Sequence, residues 1–97
     1  MATYITLISL TEKGVQNIKD SPARSAAFRK TVESAGGKVR EIYWTLGHLD
    51  GVAIFDAPDD ETAAALTLTV GGKGSAKTQT LRAFDEKEFS ALLKKVK

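Results

Sequence analysis

Tyr4-Ile5-Thr6-Leu7-Ile8-Ser9-Leu10 puts apolar side chains on both faces of an extended chain, Ile5 and Leu7 on one and Tyr4, Ile8 and Leu10 on the other. Only a strand inside a sheet can bury both. Val52-Ala53-Ile54-Phe55 has the same two-sided character and ends at Asp56, which predicts a second central strand. Val39 to Leu46 is rich in β-formers, Ile42, Tyr43 and Trp44 among them, and leads through Gly47-His48-Leu49-Asp50-Gly51 into the Val52 strand. The Asp50-Gly51 pair is a turn signal, so these two strands are expected to close an antiparallel hairpin. Ala76 to Ala83 alternates weakly and is mostly threonine, lysine and glutamine, as suits an edge strand protected by polar side chains.

Helical signals fill the gaps. A short helix opens at Thr11-Glu12-Lys13-Gly14, with Val15 and Ile18 on one side, and a second begins at Ser21-Pro22, Ser21 as cap and Pro22 in the first turn. The second carries Phe28, Val32 and Ala35 on one stripe and stops at Gly36-Gly37. Pro58-Asp59-Asp60-Glu61 starts another, running through Ala63, Leu66 and Val70 to Gly71-Gly72. Asp85 with Glu88 forms a capping box, and Phe84 with Phe89 the matching hydrophobic staple. That last helix is expected to bury Phe89, Leu92, Leu93 and Val96 and to close the domain.

Strand, helix, hairpin, helix, strand is the split β-α-β order of a ferredoxin-like α+β fold, βαββαβ, here with an extra C-terminal helix on an antiparallel four-stranded sheet spanning residues 1–97 as one domain. Its helices cover one face only. The apolar residues on the other face need a cover, and a second copy meeting the first across a two-fold axis supplies one, so a homo-oligomer built on dimers is expected.

Composition removes several functions. The chain has 97 residues, a net charge of +2 and no cysteine, so disulfides, thiolate metal sites and cysteine nucleophiles are absent, and a reducing, cytoplasmic setting is the default expectation. No apolar run reaches the roughly 20 residues of a membrane span, and the N-terminus has no basic segment before its apolar stretch. Lys94, Lys95 and Lys97 concentrate the positive charge at the C-terminus, where they complement a helix dipole rather than form the basic, aromatic-interleaved face of a nucleic-acid binder. Gly71-Gly72-Lys73-Gly74-Ser75 follows a helix and precedes a strand, the reverse of a phosphate loop, and no cofactor motif is present.

Asn17-Ile18-Lys19-Asp20-Ser21-Pro22, Gly36-Gly37, Tyr43, Gly47-His48-Leu49-Asp50, Ala57-Pro58-Asp59-Asp60-Glu61 and Thr80-Leu81-Arg82-Ala83-Phe84 together resemble the GYD-domain family over nearly the whole chain. The resemblance implies a dimeric α+β barrel. The wider barrel group includes cofactor-free oxygenases, isomerases, haem-degrading enzymes and ligand-sensing domains, so fold alone selects no activity. Where the family motif has glycine, any residue, tyrosine and aspartate, this chain keeps Gly47 and Asp50, with His48 in the variable place and Leu49 for the tyrosine.

His48, the only histidine, stands two residues before Asp50. Held by that carboxylate, its imidazole would be a general base near neutral pH; otherwise it is a solvent-facing turn residue and Asp50 bonds its own backbone. One histidine and one acid are too few for a metal site. Tyr4, Tyr43 and Trp44 combine a ring with a polar tip and suit either a pocket wall or core and interface packing. The acids Asp56, Asp59 and Asp60 read as helix capping and dipole compensation. The functional expectation is a homo-oligomeric small-molecule binding or sensing module, its ligand held by Tyr4, Tyr43, His48 and Asp50. The alternatives are a cofactor-independent oxygenase or isomerase using His48 and Asp50 as catalytic residues, and a structural assembly subunit.

Overall fold

The computed structural model describes residues Met1–Lys97. Strand β1 (Ala2–Leu10) lies between β3 (Gly51–Ala57) and β4 (Ala76–Ala83), and β2 (Lys38–Trp44) pairs with the far side of β3, giving the order β2-β3-β1-β4. All three pairings are antiparallel. The two strands with apolar residues on both faces are therefore the central ones, and the polar ones form the edges. Between them run α1 (Glu12–Gln16), a 3-10 turn over Ile18–Asp20, α2 (Ser21–Ser34), α3 (Asp60–Gly72) and the terminal α4 (Glu86–Leu93). The result is an α+β fold with the ferredoxin-like order of elements.

The faces of β1 resolve cleanly. Tyr4 and Thr6 are buried beneath the helices, on the side shared with Ile8 and Leu10, while Ile5 and Leu7 lie on the uncovered side. The core is Tyr4, Val32, Val39, Phe55, Ala57, Ala63 and Leu66, with Phe28, Ala35 and Ile42 packed against it. Phe55 stacks with Tyr4 at 5.5 Å and meets the edge of Phe28 at 5.7 Å. The α2 stripe of Phe28, Val32 and Ala35 is thus the one that faces the sheet.

Several local expectations are corrected. Ser21 lies inside α2, preceded by Asp20, and its hydroxyl accepts from Arg24 rather than capping the helix. The first helix ends at Gln16, so Ile18 falls in the 3-10 turn rather than on the same helix as Val15, and both are exposed. The hairpin forms, but Asp50-Gly51 is not its turn: Gly51 already pairs with Trp44 and Thr45 N–H donates to Asp50 C=O, so the connection is Leu46 to Leu49 and Gly47, at φ 112°, supplies its left-handed residue. Strand β2 accordingly stops at Trp44 rather than Leu46. Helix α3 does end at the Gly71-Gly72 pair, its last residue being Gly72, and Gly74 at φ 80° follows in the connection to β4.

The largest correction concerns α4. Its start is as the capping box dictates, with Asp85 accepting from Glu88 N–H and Glu88 accepting from Asp85 N–H. Its apolar stripe, however, is not buried: Phe89, Leu93 and Val96 are about half exposed or more, and the helix makes no substantial packing contact with any other element. It projects. The radius of gyration is 14.5 Å and the longest extent 49 Å, against about 12.5 Å for the radius of a compact chain of this length. The capping signals are local and act wherever the helix lies, whereas burial of the stripe needs a surface that this chain does not place within reach.

Candidate functional site

The layer between the helices and the sheet is filled at one end and hollow at the other. Near Val32 and Leu66 large side chains fill the space; toward the start of α2 and the end of α3 the floor is Gly51, Ala53, Ala76 and Thr78, whose small side chains leave a hollow. This cavity has a volume of 170 Å³. Its apolar wall comes from Ile8, Leu10, Phe28, Ile42, Trp44 and Val70, and its polar groups include Arg24, Asp50 and Lys73.

Two of those charges are held in place by hydrogen bonds. Asp50 Oδ2 accepts from Leu10 N–H at 2.7 Å. Arg24 donates through Nη1 to Asn17 C=O at 3.0 Å and through Nη2 to Ser21 Oγ at 2.9 Å. No ion pair joins Arg24 to Asp50; the ion pairs of the chain are Arg40–Asp56 and Arg82–Glu88. Each therefore keeps unused hydrogen-bonding capacity.

Beside the cavity, a shallower cleft is lined by Tyr4, Asp60, Ala63, Thr67, Thr80 and Arg82. The Tyr4 hydroxyl donates to Asp60 Oδ1 at 2.5 Å, and the Arg82 guanidinium lies 5.7 Å from the centre of its ring. Burial, then the bond to the Asp60 carboxylate and that carboxylate's charge, push the phenol from its ordinary value of 10.0 up to about 12. Tyr4 is thus a neutral donor at physiological pH, committed to Asp60. Arg82 also covers the Phe84 ring at 4.4 Å.

The uncovered face of the sheet carries two apolar rows set by the register. Leu81, Ile5 and Ile54 lie side by side across β4, β1 and β3, and Leu7, Val52 and Tyr43 across β1, β3 and β2. Polar residues rim them: Gln79, Lys77 and Ser9 at one side, Thr3, Asp56 and Lys38 at the other. Asp56 accepts from Thr3 Oγ1 at 2.7 Å and from Arg40 Nε at 2.8 Å. Burial works against its charge, but the Thr3 hydroxyl and the Arg40 guanidinium outweigh it and hold the carboxyl below its usual range.

The residues singled out from sequence do not converge on one site. Asp50 lines the cavity, Tyr43 borders it from a strand position in the row on the opposite face, Tyr4 lines the neighbouring cleft, and His48 lies exposed in the β2–β3 connection, lining neither. No hydrogen bond joins His48 to Asp50, whose carboxylate is engaged by Leu10 instead. Trp44 belongs to the cavity. Of the three acids read as helix capping, Asp59 does cap α3 through Thr62 N–H, which lowers its pKa, and Asp60 stands in the first turn; Asp56 instead belongs to the uncovered face. Arg24, Lys73 and Arg82 carried no signal of their own, since one basic residue in a helix, loop or edge strand resembles any solvated charge.

The sequence profile of the GYD domain matches residues 4–93. The chain belongs to the GYD-domain family. A relative within curated proteins, named "Glutamine synthetase and cystathionine beta-lyase binding protein", from Thermus thermophilus, is 34% identical over 95 residues, covering 97% of this chain and all of that protein. Among solved structures, the crystal structure of TTHA0845 from Thermus thermophilus superposes with a TM-score of 0.56 at 23% identity, covering 88% of this chain and 95% of the other. That likeness supports the fold of this GYD-domain chain and nothing further. The family's tyrosine position is Leu49 here, half-buried in the connection with its carbonyl accepting from Thr45 Oγ1, so the turn is closed without a tyrosine hydroxyl.

Proposed function

We propose that this GYD-domain chain is a homodimeric binding module that associates with a metabolic enzyme and modulates it, rather than a catalyst in its own right. The dimer rests on a pair of unpartnered apolar surfaces, the uncovered sheet face and the α4 stripe, and association with an enzyme rests on a relative named for binding two enzymes. The first surface is assigned to a second copy. Two apolar rows with a polar rim have the anatomy of an interface, and a two-fold axis through the sheet sets the same patch against itself. Four strands about 4.8 Å apart and seven residues long give a footprint of roughly 440 Å², below the about 800 Å² per partner of a stable complex. The α4 stripe, continuous with β4 through Phe84, supplies the remainder by reaching over the partner subunit.

Sedimentation velocity on the purified chain tests the dimer: a dimer is expected, with Ile54→Lys, at the centre of the face, shifting it to monomer while circular dichroism stays native-like. A monomer for the unaltered chain at tens of micromolar would remove this arrangement. Association with an enzyme is tested by titrating the purified chain into purified glutamine synthetase, and separately into cystathionine β-lyase, on a biosensor. Saturable binding to either supports the reading; no binding to both, for a dimeric preparation, defeats it.

A further inference from the structure

We propose that the cavity between the sheet and helices α2 and α3 is a receptor for a free α-amino acid with an apolar side chain of leucine or methionine size. The inference rests on reading the chain as a binding module, and adds the ligand to which that module responds.

The hollow has the right size and surface for such a side chain. At 170 Å³ it slightly exceeds the engineered apolar cavity of about 150 Å³ that stays dry and takes up benzene. Its apolar wall is Ile8, Leu10, Phe28, Ile42, Trp44 and Val70, with hydroxyls such as those of Ser25, Thr31, Thr67 and Thr78 between them. A hydrocarbon or thioether side chain of four heavy atoms fits this room, and its burial is favourable by roughly 25 cal/mol per Å².

The charges on the lining choose the rest of the ligand. Asp50 and Arg24 both line the cavity, carry opposite sign and are not paired with one another. Leu10 N–H occupies Oδ2 of Asp50 and leaves Oδ1 free, so an ammonium group has an acceptor. Asn17 C=O and Ser21 Oγ fix the Arg24 fork through its two terminal nitrogens and leave its Nε–H and the remaining Nη hydrogens for a carboxylate. Lys73, at the end of α3, adds a second cation beside the same hollow. A fatty acid would leave Asp50 facing an anion, and an alkylamine would leave both cations without a partner. A zwitterion satisfies all of them, and Asp50 and Arg24 are already held by backbone or side-chain bonds, which lowers the ordering cost of binding. The anchors lie at the same end of the layer: Leu10 and Asp50 at strand ends, Ser21 and Arg24 in the first turn of α2, Lys73 at the end of α3.

Isothermal titration of the full chain tests this with leucine and methionine and with three analogues that each lack one recognition element: isoamylamine without the carboxylate, 4-methylpentanoate without the amine, and glycine without the side chain. Leucine or methionine is expected to bind saturably, and each analogue at least about tenfold more weakly, the factor that 1.4 kcal/mol represents. Asp50→Asn keeps an oxygen for Leu10 N–H, and is expected to weaken leucine at least about tenfold while leaving 4-methylpentanoate no worse than before. Ala53→Leu, its fold checked by circular dichroism, is expected to abolish binding by filling the hollow. The proposal is overturned if an analogue lacking either charge binds as tightly as leucine, if Asp50→Asn leaves leucine unaffected, or if no amino acid binds at millimolar concentration. None of these results requires an enzyme, so a failure here leaves the biosensor result standing, and a failure there leaves this one standing.

Discussion

Phe55 and Gly51 lie on the same strand and the same face of the sheet, yet one is sealed under Val32 and Tyr4 while the other borders the cavity. The same strand carries both and the same helices lie over the layer, so the identity of the elements does not explain the difference. Side-chain volume does. At the Phe55 end Tyr4, Val32, Val39 and Leu66 fill the space between sheet and helices, whereas at the Gly51 end the sheet offers only Ala53, Ala76 and Thr78 to the cavity. Cohesion is therefore concentrated at one end of the layer, and the other end is free to hold a guest without holding the fold together.

Substitutions at the two ends measure that division. Phe55→Ala, at a fully buried ring, should cost about 3–5 kcal/mol in urea denaturation; a cost below about 1 kcal/mol would mean that the packed end is not where stability resides. Val32→Ala and Val70→Ala delete the same two methyl groups from opposite ends. The first should cost about 2 kcal/mol and the second under about 0.5 kcal/mol, because only the first leaves a new void; equal values would erase the contrast.

Tyr4→Phe should cost about 1 kcal/mol near neutral pH, since the exposed Asp60 regains water when its donor is lost. It should also change the alkaline limb. The folded phenol ionises near 12 and the unfolded one near 10.0, so the stability it contributes is complete below the lower value and is lost as pH rises through the higher one. Without the hydroxyl that loss should vanish from the pH dependence of unfolding. Asp56→Asn should have the smallest effect, a fraction of a kcal/mol, because Arg40 is mostly in solvent. The folded carboxyl is held below its ordinary value of 3.8, so its contribution is present above that value and disappears as the pH falls through the folded one; variant and parent should converge in acid.

How much of this was legible in advance divides along the same physical line. The two-sided apolarity of Tyr4–Leu10 and Val52–Phe55, the limits of β4, the α2 stripe and the Asp85–Glu88 box are statements about neighbours in the chain or alternation along it, and all appear in the fold. The site was not legible in that way. Tyr4, Tyr43, His48 and Asp50 are separated by turns whose lengths decide where each side chain ends up, and the hairpin turn falls on Leu46–Leu49 rather than on Asp50-Gly51. That shift leaves His48 in solvent and gives Asp50 to Leu10. The exposed α4 stripe had the periodicity of a buried one, because amphipathicity records that a helix has a partner surface and not which molecule provides it.

The pairing of β1 with β4 has a consequence for how the chain comes to its fold. Thr3 lies beside Ala83 and Leu10 beside Ala76, so the first strand of the sheet to be made waits for the last. Through that interval β1 can pair with β3 but shows an unpaired edge on its other side, with Ile5 and Leu7 also uncovered. A nascent chain in that state is open to intermolecular strand addition. Sparing use of apolar residues in β4, whose Lys77, Thr78, Gln79 and Thr80 are polar, keeps the arriving strand from seeking the wrong edge. Completion of the sheet thus waits for its last strand, and slowing elongation before Ala76 should raise aggregation more than slowing it after Ala83.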